Sequence, residues 1–207
     1  MSIKYEIASF DFESAMLAQK AGADRIELCV NQPEGGVTPS YSLIELAKKN
    51  LHIDLNVIIR PRGGNFIYTD SEYVIMENDI LICKELGVNG VVFGILNEDK
   101  SVDISRNTEL VQLASPMTST FHRAFDETSD VLKSLEDVID CGFTRILTSG
   151  QMPSAMEGAT LISSLVETAG ERIIIMPGGG VRKENIKKLI ETTKAKEYHS
   201  SSINIII

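Results

Sequence analysis

Three stretches of the chain share one shape: a helical run, a glycine, then a β-rich run. They are AQKAGADRIELCV (18–30), KELGVNGVVFGIL (84–96) and DCGFTRILTSG (140–150). Gly22, Gly87 and Gly142 suit the left-handed position just past a helix end, which glycine adopts without steric cost. A chain punctuated in this way alternates helices with strands. On that register the strands fall at 6–9, 25–30, 54–60, 90–96, 118–124, 145–148, 172–177 and 197–201. Repeated βα units at about 25-residue spacing imply a parallel sheet with helical crossovers. Eight strands favour closure, so the expected fold is a (β/α)8 TIM-type barrel, one domain over 1–207. Ser-x-x-Glu at 42–45 and 154–157 fits a capping box, and Asp70 or Ser71 is the expected N-cap of the next helix. Only INIII (203–207) follows the last strand, so the closing helix is expected to be absent or truncated. A partner copy would then cover the exposed apolar edge, with a dimer favoured.

The net charge of −9 argues against steering toward nucleic acid or an anionic membrane surface. Any anion site must therefore be local. No stretch is apolar enough to span a bilayer, and MSIKYEIASFDFES lacks the basic and apolar regions of a signal peptide, which points to the cytosol. Cys29, Cys83 and Cys141 are widely spaced and odd in number, so no disulfide framework is expected.

In such a barrel the chemistry gathers at the C-terminal ends of the strands. Strand alternation puts Glu27 with Cys29, Arg60 with Arg62, Thr120 with His122, and Glu197 with His199 on common faces. If those faces point inward, carboxylates, guanidinium groups and imidazoles meet in one cavity. Glu6, Glu27, His122 and Asp126 are the candidate acids and bases. Arg60 and Arg62 offer planar forks for a carboxylate or phosphate, or Arg60 pairs internally with Glu27 or Glu6. Arg123, Ser149, His199 and Ser201 would add polar contacts. The loop MPGGGVRKEN (176–185), with Gly178, Gly179 and Gly180, sits where many barrels bind phosphate through backbone N–H groups.

No lysine lies in or just after these strands apart from Lys4 before the first, which argues against a Schiff-base aldolase. A soft ion such as Cu(I) would look to Cys29, His122 and His199, although their spacing forms no clustered motif. Cys83 and Cys141 read as core cysteines, and Met152 with Met156 as packing.

Together GADRIELC (22–29), EGGVTPS (34–40), IIRPRGG (58–64), TFHRAFD (120–126), RILTSG (145–150), PGGGVR (177–182) and YHSSS (198–202) closely resemble the copper homeostasis protein CutC family. The resemblance implies a TIM-like barrel, a cytoplasmic location and a role in copper tolerance, with copper as the associated metal. It makes Glu6, Glu27, Arg60, His122, Asp126 and His199 pocket positions, and Cys29 the strand cysteine linked with copper. Three functions follow: a Cu(I)-binding protein, a lyase or isomerase acting on a small phosphorylated or carboxylated metabolite, and a non-catalytic barrel working through protein contacts.

Overall fold

The computed structural model describes residues 3–206. Eight short parallel strands alternate with seven helices, in the order β1 (Lys4–Ser9), α1 (Phe12–Ala21), β2 (Arg25–Leu28), α2 (Tyr41–Asn50), β3 (Asp54–Ile58), α3 (Asp70–Leu86), β4 (Gly90–Phe93), α4 (Ile104–Ala114), β5 (Thr118–Phe121), α5 (Val131–Asp140), β6 (Arg145–Thr148), α6 (Ala159–Ala169), β7 (Ile174–Pro177), α7 (Ile186–Thr193) and β8 (Glu197–Ser200). From β1 to β7 each strand pairs with the next in sequence, and β8 pairs with β1. Among the described residues no ladder joins β7 to β8, so the (β/α)8 barrel is nearly closed, with one seam.

The helix signals work as physics requires, with shifts at two starts. Gly22, Gly87 and Gly142 all take positive φ at helix ends. The cap of α2 is Ser40 rather than Ser42, because the Ser40 hydroxyl reaches the Leu43 amide. Thr69, not Asp70 or Ser71, caps α3 in a reciprocal box with Glu72. Ser154 and Glu157 do bond to each other, but in the turn before α6. The β2, β3, β4 and β5 ladders end two or three residues earlier than the apolar runs suggest. Several of those extra residues, including Ile59 and Ile95, are buried in the apolar core. Burial without a ladder reads in a sequence like a longer strand.

Alternation sorts polar from apolar side chains around the wall. Ile26, Val57, Val91, Phe93, Phe121 and Ile146 belong to the apolar cluster shared with the helices. Glu6, Arg25, Asn56, Thr120, Arg145 and Glu197 are buried on the other face, inside the barrel, and bond to one another. After β8 a single helical turn, Ile203–Ile205, buries Ile205.

Candidate functional site

The barrel interior is floored by ion pairs. Arg25 Nε meets Glu6 Oε2 at 2.5 Å and its Nη2 meets Glu197 Oε2 at 2.5 Å. Arg145 Nε reaches the same Glu197 oxygen at 2.7 Å, and its Nη1 donates to Thr120 Oγ1. Burial alone would neutralise these groups, but each charge is matched. Burial raises the Glu6 carboxyl, and Arg25, then His199 and Arg145, outweigh it and hold Glu6 well below the carboxylate range. Glu197 is likewise lowered against its burial, by Arg145 and Arg25. Glu6 is therefore a fixed anion behind the site rather than the acid or base expected of it.

A carboxylate–imidazole pair stands on this floor. His199 Nδ1 lies 2.8 Å from Glu6 Oε1, so the ring donates from Nδ1 and presents Nε2 to Glu27 Oε2, 3.6 Å away. Burial, with the charge on Glu6 behind it, pushes the Glu27 carboxyl up despite the neighbouring imidazole. For His199 burial opposes the charge, yet Glu27 and Glu6 outweigh it and raise the imidazole. Both partners hold a proton more tightly than their free forms. Two groups shifted in this way at the wall of a cavity fit acid–base work.

The cavity above them is about 720 Å³ and includes Glu27, His122, His199, Arg123, Arg182 and Ser201 among its lining residues, and no lysine lines it. His122 accepts a bond at Nδ1 from the Ala124 amide, which places its proton on Nε2, an enclosed atom with no partner among the described residues. Its ring packs on Phe66, 4.7 Å between centroids, and burial followed by Arg60 lowers its pKa to about 3. Burial thus favours the neutral imidazole of His122 in the cavity wall.

Arg60 meets neither Glu27 nor Glu6. Its guanidinium donates to three backbone carbonyls, those of Glu34, Gly36 and Gly64, and lies over the Phe66 ring. It clamps the loops after β2 and β3 across the cavity rim. Arg62 turns away from the cavity into Glu72 and the carbonyls of Gly63, Asn65 and Ile67, so it offers nothing to a ligand there. Asp126 is similarly committed: it accepts from Thr148 Oγ1, the Ser149 amide and hydroxyl, the Gln151 amide and Arg123 Nε. It organises the loop after β6 and is no free base. Ser149 is buried, its hydroxyl spent on Asp126 and the Met152 carbonyl. Gly178 bonds its amide to Thr148 O and leaves no room for a side chain beside Leu147, a packing role.

At the opposite rim the loops after β5, β7 and β8 gather cations and amides. Arg123 spends Nε on Asp126 and Nη2 on Ser149, leaving Nη1 uncommitted among the described residues. Gly179 sits beside the Arg123 guanidinium at φ +95°, a left-handed conformation that favours glycine. Arg182 spends only Nη1, on Val181 O and Ser200 Oγ. The Gly179 and Gly180 amides find no acceptor among the described residues. This rim presents N–H donors that no acceptor takes among the described residues.

The donor set does not fit a copper ion. Cys29 Sγ points to Glu27 Oε2 at 3.5 Å, and burial and Glu27 keep it a thiol by raising its pKa well above the usual value. The Nδ1 atoms of His122 and His199 are both engaged, and His122 Nε2 is enclosed. Among the described residues no three His, Cys, Asp or Glu side chains are grouped to hold a metal. Cys83 and Cys141 are buried free thiols elsewhere.

Several site residues escape a sequence reading centred on strand ends. Arg25 and Arg145 lie one layer deeper, although Arg25 shares the face of Glu27 by simple alternation. Phe66, Glu34 and Arg182 reach the cavity from loops, where no period predicts direction.

Fold and site together define a single-domain parallel barrel with a carboxylate–imidazole pair and a rim of uncommitted donors at its mouth. The chain belongs to the CutC family, whose model matches residues 3–204. A CutC family protein from Parabacteroides distasonis is 50% identical over 97% of this chain and 83% of its own length. The copper homeostasis protein cutC homolog of Homo sapiens is 44% identical over 95% of this chain and 72% of its own. A solved CutC structure from Streptococcus agalactiae superimposes with TM-score 0.93 at 39% identity, covering 97% of this chain and 99% of that one. A solved aldolase shares the fold at TM-score 0.70 and 15% identity.

Proposed function

We propose that the protein is a cytosolic acid–base enzyme, a lyase or isomerase, acting on a small phosphorylated or carboxylated metabolite. The observation that carries this reading is the Glu27–His199–Glu6 chain at the base of an open cavity. Glu6 fixes the imidazole tautomer, and His199 and Glu27 exchange protons with the ligand. The cations of the opposite rim hold its anionic end. No described helix is long and apolar enough to cross a membrane, and the three thiols are free, which agrees with a reducing compartment. The family's copper role is carried by the names of its members, and the side chains here give no set of soft ligands for Cu(I) binding.

A turnover screen over phosphorylated and carboxylated metabolites tests the reading. Wild-type protein should convert at least one, and Glu27→Gln should lower kcat by about a hundredfold or more while still binding it. Absence of turnover across the screen, or a Glu27→Gln variant as fast as wild type, sinks the proposal.

A further inference from the structure

Three observations narrow the substrate. The first is the donor supply at the rim: Arg123 Nη1, two nitrogens of Arg182, the Gly179 and Gly180 amides and the Ser201 hydroxyl all border the cavity, with no protein acceptor taking them among the described residues. A carboxylate fills one fork, whereas a phosphate monoester presents three terminal oxygens and up to two charges, which this number of donors matches. The second is the distance between the members of the proton pair. Glu27 Oε2 and His199 Nε2 are 3.6 Å apart and both line the cavity, so both reach adjacent atoms of one ligand. The third is the charge inventory of the interior. Glu6 and Glu197 are balanced by Arg25 and Arg145, which leaves one mobile proton to the Glu27–His199 pair.

Resting on the acid–base reading above, we propose that the substrate is a phosphate monoester of a small hydroxy-aldehyde or hydroxy-ketone, isomerised through an enediol. The Glu27 carboxylate takes the C–H proton beside the carbonyl while imidazolium His199 gives its Nε2 proton to the carbonyl oxygen. The neighbouring hydroxyl then returns a proton to His199 Nε2, and Glu27 delivers its proton to the former carbonyl carbon. One hydrogen has moved between adjacent carbons and both side chains regain their starting state. Nothing is oxidised or reduced overall, and no co-reactant is consumed.

Proton NMR in heavy water tests the assignment with three sets of probes. These are dihydroxyacetone phosphate with ribulose and fructose monophosphates, the same sugars without phosphate, and oxaloacetate as an enolisable carboxylate. The protein should exchange the carbon-bound hydrogen of at least one phosphorylated probe and leave its free sugar unchanged. Glu27→Gln should slow that exchange about a hundredfold. Arg182→Gln, on the exposed rim, should raise KM about tenfold with little change in kcat. Exchange into oxaloacetate alone, or an unchanged KM in Arg182→Gln, overturns the phosphate assignment and leaves the acid–base reading standing. No exchange in any probe overturns the isomerase step, and the wider turnover screen then decides the acid–base reading separately.

Discussion

His122 shows how burial of one side chain ties stability to pH. Its ordinary pKa of 6.5 falls to about 3 in the folded protein. Between those values the unfolded chain binds a proton that the folded chain refuses, so stability falls as pH drops from 6.5. The loss approaches about 1.4 kcal/mol for each pH unit well inside that window. His199 has the opposite shift: its contribution is complete below 6.5 and is lost as pH rises through its raised value. Glu6, held low, gives stability above about 4.5 that disappears only under stronger acid. Urea midpoints measured from pH 7 down to about 4.5 should fall steeply for wild type. His122→Gln should flatten that slope, and equal slopes would show that His122 is not buried in its neutral form.

Among the elements, the junction of β6 with α6 is the tightest backbone contact near the site. A Cβ at Gly158 would stand 2.0 Å from the Ser149 carbonyl oxygen, and one at Gly150, already at φ +71°, 2.6 Å from the Gly158 carbonyl. Neither neighbour is a side-chain tip that can swing aside. Gly158→Ala should therefore cost about 2 kcal/mol or more in thermal or urea unfolding, and should loosen the loop through which Asp126 and Ser149 hold Arg123. The helix–glycine–strand units made the element order readable because both the helix stop and the apolar strand leave marks in local sequence. The ends of the strands were less readable. Arg60 and Arg62 look like partners on one face of a strand, but β3 stops at Ile58, and alternation has no meaning beyond the last ladder bond. Their roles depend on loop carbonyls, those of Glu34 and Gly36 from another loop for Arg60 and those of its own loop for Arg62, which carry no sequence signature. Glu27 and His199, placed within or directly beside a ladder, kept the face that their position implied.

At the level of the whole molecule, the barrel is held on the inside by charge and on the outside by hydrocarbon. Removing one member of the internal network leaves its partners buried with less opposing charge. Arg25→Met should destabilise the fold by about 3–5 kcal/mol in chemical denaturation, since it takes from Glu6 its arginine and from Glu197 one of two, leaving two buried carboxylates under-compensated. A change below about 1 kcal/mol would mean that solvent reaches the floor.

The unpaired seam gives that network a second meaning. β7 and β8 lie side by side without ladder bonds, and the Arg145–Glu197 pair spans from β6 to β8 behind them. Gly179 hangs from one lip of this split ring and Ser201 from the other, both facing the cavity. An anion gripped by the two loops would serve as a clasp. Occupancy would then be linked to the integrity of the ring itself, so that each tenfold excess of ligand over its dissociation constant holds the lips together by about a further 1.4 kcal/mol.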